Sequence, residues 1–231
     1  MKRFWRTVEA REEDGHWSIL LDGKPLRTPA RVPLELPTKA LADAIAAEWD
    51  AVGEDIDPKA MPLTGLANAA IDHVAPDPAA FAERLAKYAE ADLACYRATS
   101  PSALVEAQEQ DWGRLLAWAR RRFDVDFITT AGLTHAEQPP ATVERLTHEV
   151  RQLDAYRLAG LSPLVTIGGS LVAALGVLDC GLSAEQAWDS VSLDERWQAE
   201  QWGADAEAQA ATENRRRDFL AAAQFLALLE A

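Results

Sequence analysis

Few residues in this chain have the types and spacing that chemistry needs. Asp92 falls among Phe81, Leu85, Tyr88 and Tyr96 on an apolar helical stripe, with Arg97 close behind. A carboxylate in such surroundings is a candidate buried acid with a shifted pKa, although an ion pair or a helix-capping bond is the commoner use of one. Asp194 and Glu195 are adjacent acids and candidates for general acid–base work. Neighbours on a helix point about 100° apart, so the two do not converge on one substrate atom unaided. His16, His73, His135 and His148 are scattered, with no metal-ligand spacing among them. Cys95 and Cys180 lie far apart in apolar helical contexts, which reads as buried free thiols in a reducing compartment. No phosphate-cradling glycine loop and no nucleophile elbow occurs. Gly168-Gly169-Ser170 lies within an apolar run, where small residues mean close helix packing.

The segment 193–205 is the most unusual. As one helix continuing from residue 188, it places Trp188, Val191, Glu195, Gln198 and Trp202 on one side, so an acid and an amide interrupt an aromatic–aliphatic face. Two readings fit that pattern. Glu195 can satisfy a buried arginine or cap a neighbouring helix, or the face can be a partner groove in which aromatics anchor and the acid fixes register. Periodicity leaves both open.

The elements that must position these residues divide the chain into an α+β protein, with a small β-rich domain at 1–75 and a larger, mainly helical one at 76–231. Short aromatic and β-branched runs at 4–8 and 16–21 flank the polar stretch 11–15. Asp22-Gly23 then marks a hairpin, and Pro29, Pro33 and Pro37 confine 32–36 to an edge strand. Thr38 caps a helix carrying Leu41, Ile45, Trp49 and Val52, and Thr64 is placed to cap a short one through Ile71. Pro76 and Pro78 mark the boundary. Beyond it, Leu104, Trp112, Leu115 and Trp118 line a helix after Pro101, and 123–129 reads as a brief strand or linker. Pro139-Pro140 opens another helix, bearing Leu146, Val150 and Leu153. A single apolar helix over 164–178 forms the centre of a bundle. Ser183 and Gln186 make a capping box for a helix ending near Trp202, and a last helix carries Phe219, Ala222, Leu226 and Leu229 on one side.

Acidic residues outnumber basic ones 37 to 23, for a formal charge of −14. That field repels nucleic acid and anionic membrane faces and favours basic or neutral partners. The apolar stretch 161–178 is short and broken by small polar residues, so stable membrane insertion is not expected. With no signal peptide after Met1 and no coiled-coil seam, the chain reads as a bacterial cytoplasmic protein, monomeric when free, or as a processed mitochondrial-matrix one.

Several motifs recur in a familiar order: Leu21-Asp22-Gly23-Lys24-Pro25-Leu26-Arg27-Thr28-Pro29, Leu36-Pro37-Thr38 and Ala47-Glu48-Trp49-Asp50. Ile56-Asp57-Pro58, Met61-Pro62-Leu63-Thr64 and Asp92-Leu93-Ala94-Cys95-Tyr96-Arg97-Ala98 follow. Trp112, Trp118 and the segment 193–205, with Gln198 and Trp202-Gly203, close the set. In these the chain resembles the assembly chaperones of the F-type ATP synthase that hold the α subunit of its catalytic head, the ATP-twelve family. The resemblance implies the two-domain fold just described, no catalysis and no cofactor. It also implies ATP-independent binding of the unassembled α subunit, promoting assembly of the α/β hexamer. The acid that the family needs lands on Glu195, with Asp194 beside it, and the implied partner-binding set is Glu195, Asp194, Gln198, Trp202 and Asp205. Val52-Gly53 departs from the family pattern, and Trp49 is expected in the core. Two other function classes compete: a small-molecule hydrolase or lyase using Asp92 or Glu195, and an adaptor for a different client. A closed pocket around Glu195 favours the enzyme, and an open aromatic–acidic face favours a client.

Overall fold

The computed structural model describes residues 2–132, 134–203 and 205–231. In chain order the elements are β1 (Val8–Glu13), β2 (His16–Leu21), β3 (Lys24–Pro25), β4 (Glu35–Leu36), α1 (Lys39–Asp50), α2 (Pro62–Ala69) and α3 (Pro78–Ala86). Next come β5 (Tyr96–Arg97), α4 (Ser102–Phe123), β6 (Thr130–Ala131), α5 (Pro140–Arg151), α6 (Ala155–Gly168) and α7 (Leu171–Leu178). The chain continues through α8 (Ala184–Val191), α9 (Leu193–Trp202) and α10 (Ala206–Leu229). The α+β class, with strands gathered near the N-terminus and helices dominating the rest, is as the sequence pattern predicts. Two compact units form: one from Met1–Pro78 with Asp154–Gly160 and Gln224–Ala231, the other from Ala79–Leu153 with Leu161–Ala223. Both α6 and α10 therefore contribute residues to each unit.

In the first unit, turn chemistry sets the sheet. Asp14-Gly15 and Asp22-Gly23 all have positive φ, the backbone that tight two-residue hairpins demand. They join β1 to β2, in register from Glu13↔His16 to Val8↔Leu21, and β2 to β3. The first strand is not at 4–8 but begins at Val8 and runs through the polar stretch expected to be a connector. β1 is largely exposed, so its sequence carries little apolar alternation to mark it. The expected edge strand over 32–36 narrows to Glu35–Leu36, paired with β2. Asp22 Oδ1 accepts the backbone N–H groups of Arg6 and Thr7, which hold its carboxyl below the usual range.

Ile19, Leu20, Leu34, Leu36, Leu41 and Ile45 form the core of this unit, each burial worth roughly 1.5–3 kcal/mol. Trp49 joins it, its ring centroid 5.0 Å from that of Trp5. Thr38 caps α1 by accepting from Leu41 N, and its hydroxyl donates to Leu228 O at 2.6 Å. Thr64 is not a cap. Glu48 of α1 does that work, its carboxylate accepting from Leu63 N and Thr64 N at 2.8 Å each and from the Thr64 hydroxyl at 2.6 Å. Late segments complete the unit: the Tyr156 hydroxyl donates to Glu35 O, Arg157 bonds Glu230 at 3.1 Å, and a Cβ on Gly160 would meet Leu226 at 2.7 Å.

The second unit differs from expectation where long helices break. The stripe from Phe81 to Tyr96 ends as helix at Ala86, so Asp92 lies outside it. The apolar run 164–178 divides at Gly169, whose φ is +68°, and Ser170, which caps α7. Gly168 keeps the packing role expected of it, since a Cβ there would lie 3.1 Å from Val191. The helix expected to end near Trp202 has its capping box at Ser183 and Gln186 but stops at Val191. There the Ser192 hydroxyl donates to Trp188 O at 2.7 Å, and α9 starts afresh. Of the two readings of 123–129, the linker holds: residues 125–129 form no regular element, and the strand that follows is Thr130–Ala131, parallel to Tyr96–Arg97. Among the described residues no helix is long and apolar enough to cross a membrane.

Candidate functional site

Asp92 is fully buried and fully occupied. Its Oδ1 accepts from Ala94 N at 3.0 Å and from the Ser170 hydroxyl at 2.8 Å, and its Oδ2 accepts from Val172 N at 2.9 Å. One carboxylate thus caps the short turn Leu93–Cys95 and the start of α7. Burial pushes its pKa up, against the pull of those N–H and O–H donors. Arg97 is not its partner; it binds Glu109 at 3.2 Å and donates to Ala94 O. Burial and the neighbouring Asp92 charge push the Cys95 thiol up to about 12, so this cysteine is no nucleophile. His135 Nδ1 lies 3.1 Å from the Tyr96 hydroxyl, and among the described residues no cluster could hold a metal ion. These groups do structural work.

α9 presents a different arrangement. Leu193 is its one buried residue, so the helix lies on the surface. Because α8 ends before it, Trp188 and Val191 do not share its face, and the sequence wheel joining them to Glu195 and Trp202 does not hold. Each acid of the first turn is tied to another helix. Asp194 Oδ1 accepts from Gln108 Nε2 of α4 at 2.7 Å, while Gln108 Oε1 accepts from Ala98 N at 2.7 Å. Glu195 Oε1 accepts from Arg215 Nη1 of α10 at 2.7 Å, and Arg215 also donates to Ile167 O. Arg196 reaches back to Asp189 O at 2.8 Å. The first turn is a three-way clamp.

The last turn is free of such ties. Trp202 is 74% exposed and meets Trp197 edge-on with centroids 5.8 Å apart. Gln198, Glu200 and Gln201 are exposed beside it. Gly203 ends the helix with a φ of +78°, where only glycine is unstrained. Asp205, beyond it, caps α10 by accepting from Ala208 N at 2.7 Å. Of the expected set, then, Asp194 and Glu195 hold α9, Asp205 holds α10, and Gln198 and Trp202 face outward. Gln108 and Arg215 were not foreseen. Gln108 had a signal: an amide between Leu104 and Trp112 on the buried stripe of α4, itself almost wholly buried. Arg215 sits in a run of three arginines, which sequence cannot tell apart. Glu195 itself is half-exposed, its side chain open to solvent beside the Arg215 guanidinium.

The model of the ATP12 chaperone protein family matches residues 2–120. The chain belongs to the ATP12 chaperone family. The resemblance read from the motifs is borne out, and the family is one of chaperones, not of enzymes. The crystal structure of Atp12 from Paracoccus denitrificans superposes with a TM-score of 0.94 at 44% identity, covering 99% of this chain and 98% of that one. An aspartate-to-lysine mutant of the same Paracoccus protein gives 0.94 at 43% identity, covering 99% and 97%. That charge reversal evidently leaves the ATP12 fold intact in the relative. The mitochondrial protein atp12 of Schizosaccharomyces pombe is 24% identical over 216 residues, 87% of this chain and 74% of its own. The α9 segment lies beyond the family match but within the span shared with the Paracoccus structures.

Proposed function

We propose that this ATP12-family chaperone acts in assembly of the F-type ATP synthase by holding the unassembled α subunit of the catalytic head, with α9 as the holding surface. The observation that carries the reading is Trp202, a large aromatic left 74% exposed on a helix whose first turn is clamped to α4 and α10. An exposed aromatic on a rigid support binds with little ordering cost, which is how hot-spot residues work. A subunit of an obligate assembly exposes apolar area before its neighbours arrive, and covering that area needs no nucleotide. Asp194 and Glu195 set the pose of α9, while Gln198 and Trp202 touch the client. The acidic field of −14 discourages nucleic acid and favours a client with basic character. On this reading the chain acts in the bacterial cytoplasm, or in the mitochondrial matrix for a processed form.

The test is co-purification with unassembled α subunit. Wild-type protein captures it; Trp202→Ala and Glu195→Lys lose most of the capture while keeping the wild-type melting temperature within a few degrees. Wild-type protein that captures no α subunit refutes the client. Capture undiminished in both variants refutes the surface.

A further inference from the structure

Packing does not explain Gln108. Leu104, Trp112 and Leu115 line the same buried stripe of α4, and Gln108 among them is 1% exposed. An apolar side chain there would avoid the cost of burying an amide, so the amide is present for its polarity. Both of its ends are used. Its Oε1 accepts from Ala98 N and its Nε2 donates to Asp194 Oδ1, each at 2.7 Å. The first bond orients the second: a backbone N–H only donates, so the amide oxygen faces Ala98 and the NH2 group faces α9. Ala98 is itself placed from behind, since Arg97 beside it donates to Ala94 O in the turn that Asp92 caps.

One turn further along α4, the Trp112 indole donates Nε1 to Ser190 O at 2.8 Å, in the last turn of α8. Two donors of α4 therefore grip the corner between α8 and α9, one on each side of Ser192, whose hydroxyl turns back to Trp188 O. Apolar burial cannot set the angle of α9, because Leu193 is its one buried residue and burial has no direction. The Arg215–Glu195 pair lies half in solvent, where ion pairs hold weakly. Gln108 is the tie that water does not reach. We infer that Gln108 is a positioning residue for client binding: from the core it fixes the pose of α9, and the donor end of its amide selects the carboxylate of Asp194. That α9 meets the client rests on the reading above; the tie between Gln108 and α9 does not.

The experiment is hydrogen exchange of the whole chain, read by mass spectrometry over α9 against α8 and α10, beside capture of unassembled α subunit. Gln108→Glu sets a second carboxylate against Asp194. Amides of α9 are expected to exchange about tenfold faster and capture to fall by a similar factor, the worth of one hydrogen bond to a charged group. Asp194→Asn alone stays near wild type, since its amide oxygen still accepts from Gln108. Added to Gln108→Glu, it restores slow exchange and capture, because its NH2 group donates to the new carboxylate. Gln108→Met removes both bonds at similar volume, loosens α9 in the same way and is not rescued by Asp194→Asn; it carries the test where Gln108→Glu does not fold. Unchanged α9 exchange in Gln108→Met, no rescue in the folded double variant, or acceleration shared equally by α8 and α10 overturns the positioning role. A loosened α9 with undiminished capture overturns the client surface instead, so the two failures read out separately.

Discussion

Replacing Asp92 tests whether one carboxylate holds the second unit together. In Asp92→Ala three donors lose their acceptor: Ala94 N, Val172 N and the Ser170 hydroxyl, all at a fully buried site. A buried donor left unpaired costs about 1–3 kcal/mol, and relief from burying a charge offsets part of the sum. The net expectation is a loss of about 3–5 kcal/mol, the three unpaired donors outweighing that relief. Asp92→Asn keeps one oxygen for Ala94 N and Ser170 but sets an amide N–H against Val172 N, so one donor is orphaned and the loss is about 1–3 kcal/mol. The pH dependence has a definite sign. Burial raises the folded pKa of Asp92 above the unfolded value of 3.8, so the native chain holds that proton more tightly. Its contribution is fully present below the unfolded value and declines as pH rises through the folded one. Asparagine does not titrate. The stability gap between wild type and Asp92→Asn, measured by urea unfolding, is therefore widest in acidic buffer and narrows towards neutrality. A gap that widens with pH would mean that hydrogen bonds to the charged form outweigh burial, and the reasoning would fail.

Three further outcomes are expected. Glu48→Ala removes the carboxylate that caps α2 and lowers stability by about 1–2 kcal/mol in urea unfolding; an unchanged midpoint would show that water replaces it. Gly181→Ala forces a methyl into Trp118 and costs about 1–3 kcal/mol, visible as a lowered melting temperature and a shifted tryptophan emission. With Cys95 buried and its thiol pushed up to about 12, only the exposed Cys180 reacts promptly with a thiol reagent in native buffer, and both react in denaturant; two prompt thiols in the native protein would contradict the packing around Asp92.

What the sequence made legible is what local chemistry decides. Asp22-Gly23, the Thr38 cap and the Ser183–Gln186 capping box each need only three or four neighbouring residues, and each stands where its pattern put it. What stayed hidden depends on contacts far along the chain. The helix break at Gly169-Ser170 is set by Asp92, some eighty residues earlier, which supplies the acceptor that the start of α7 lacks. The break at Ser192 hides because serine fits a helical pattern well enough, and its hydroxyl bends the chain only by bonding Trp188 O. β1 was misplaced because an exposed strand of alternating charges has no apolar period to read. At α9 the segment was recognisable, but the duties of its residues were not. Nothing in the spacing of Asp194, Glu195 and Asp205 reveals that all three are engaged in holding helices.

The first unit includes Asp154–Gly160 and Gln224–Ala231, and the Thr38 hydroxyl that opens α1 donates to Leu228 O. A nascent chain therefore carries an unfinished N-terminal unit throughout synthesis of nearly all the rest. The contacts that residues 224–231 supply form only after those residues leave the ribosome. The unit that opens the sequence is thus a late-closing one, and loss of residues 224–231 would undo what residues 1–78 begin.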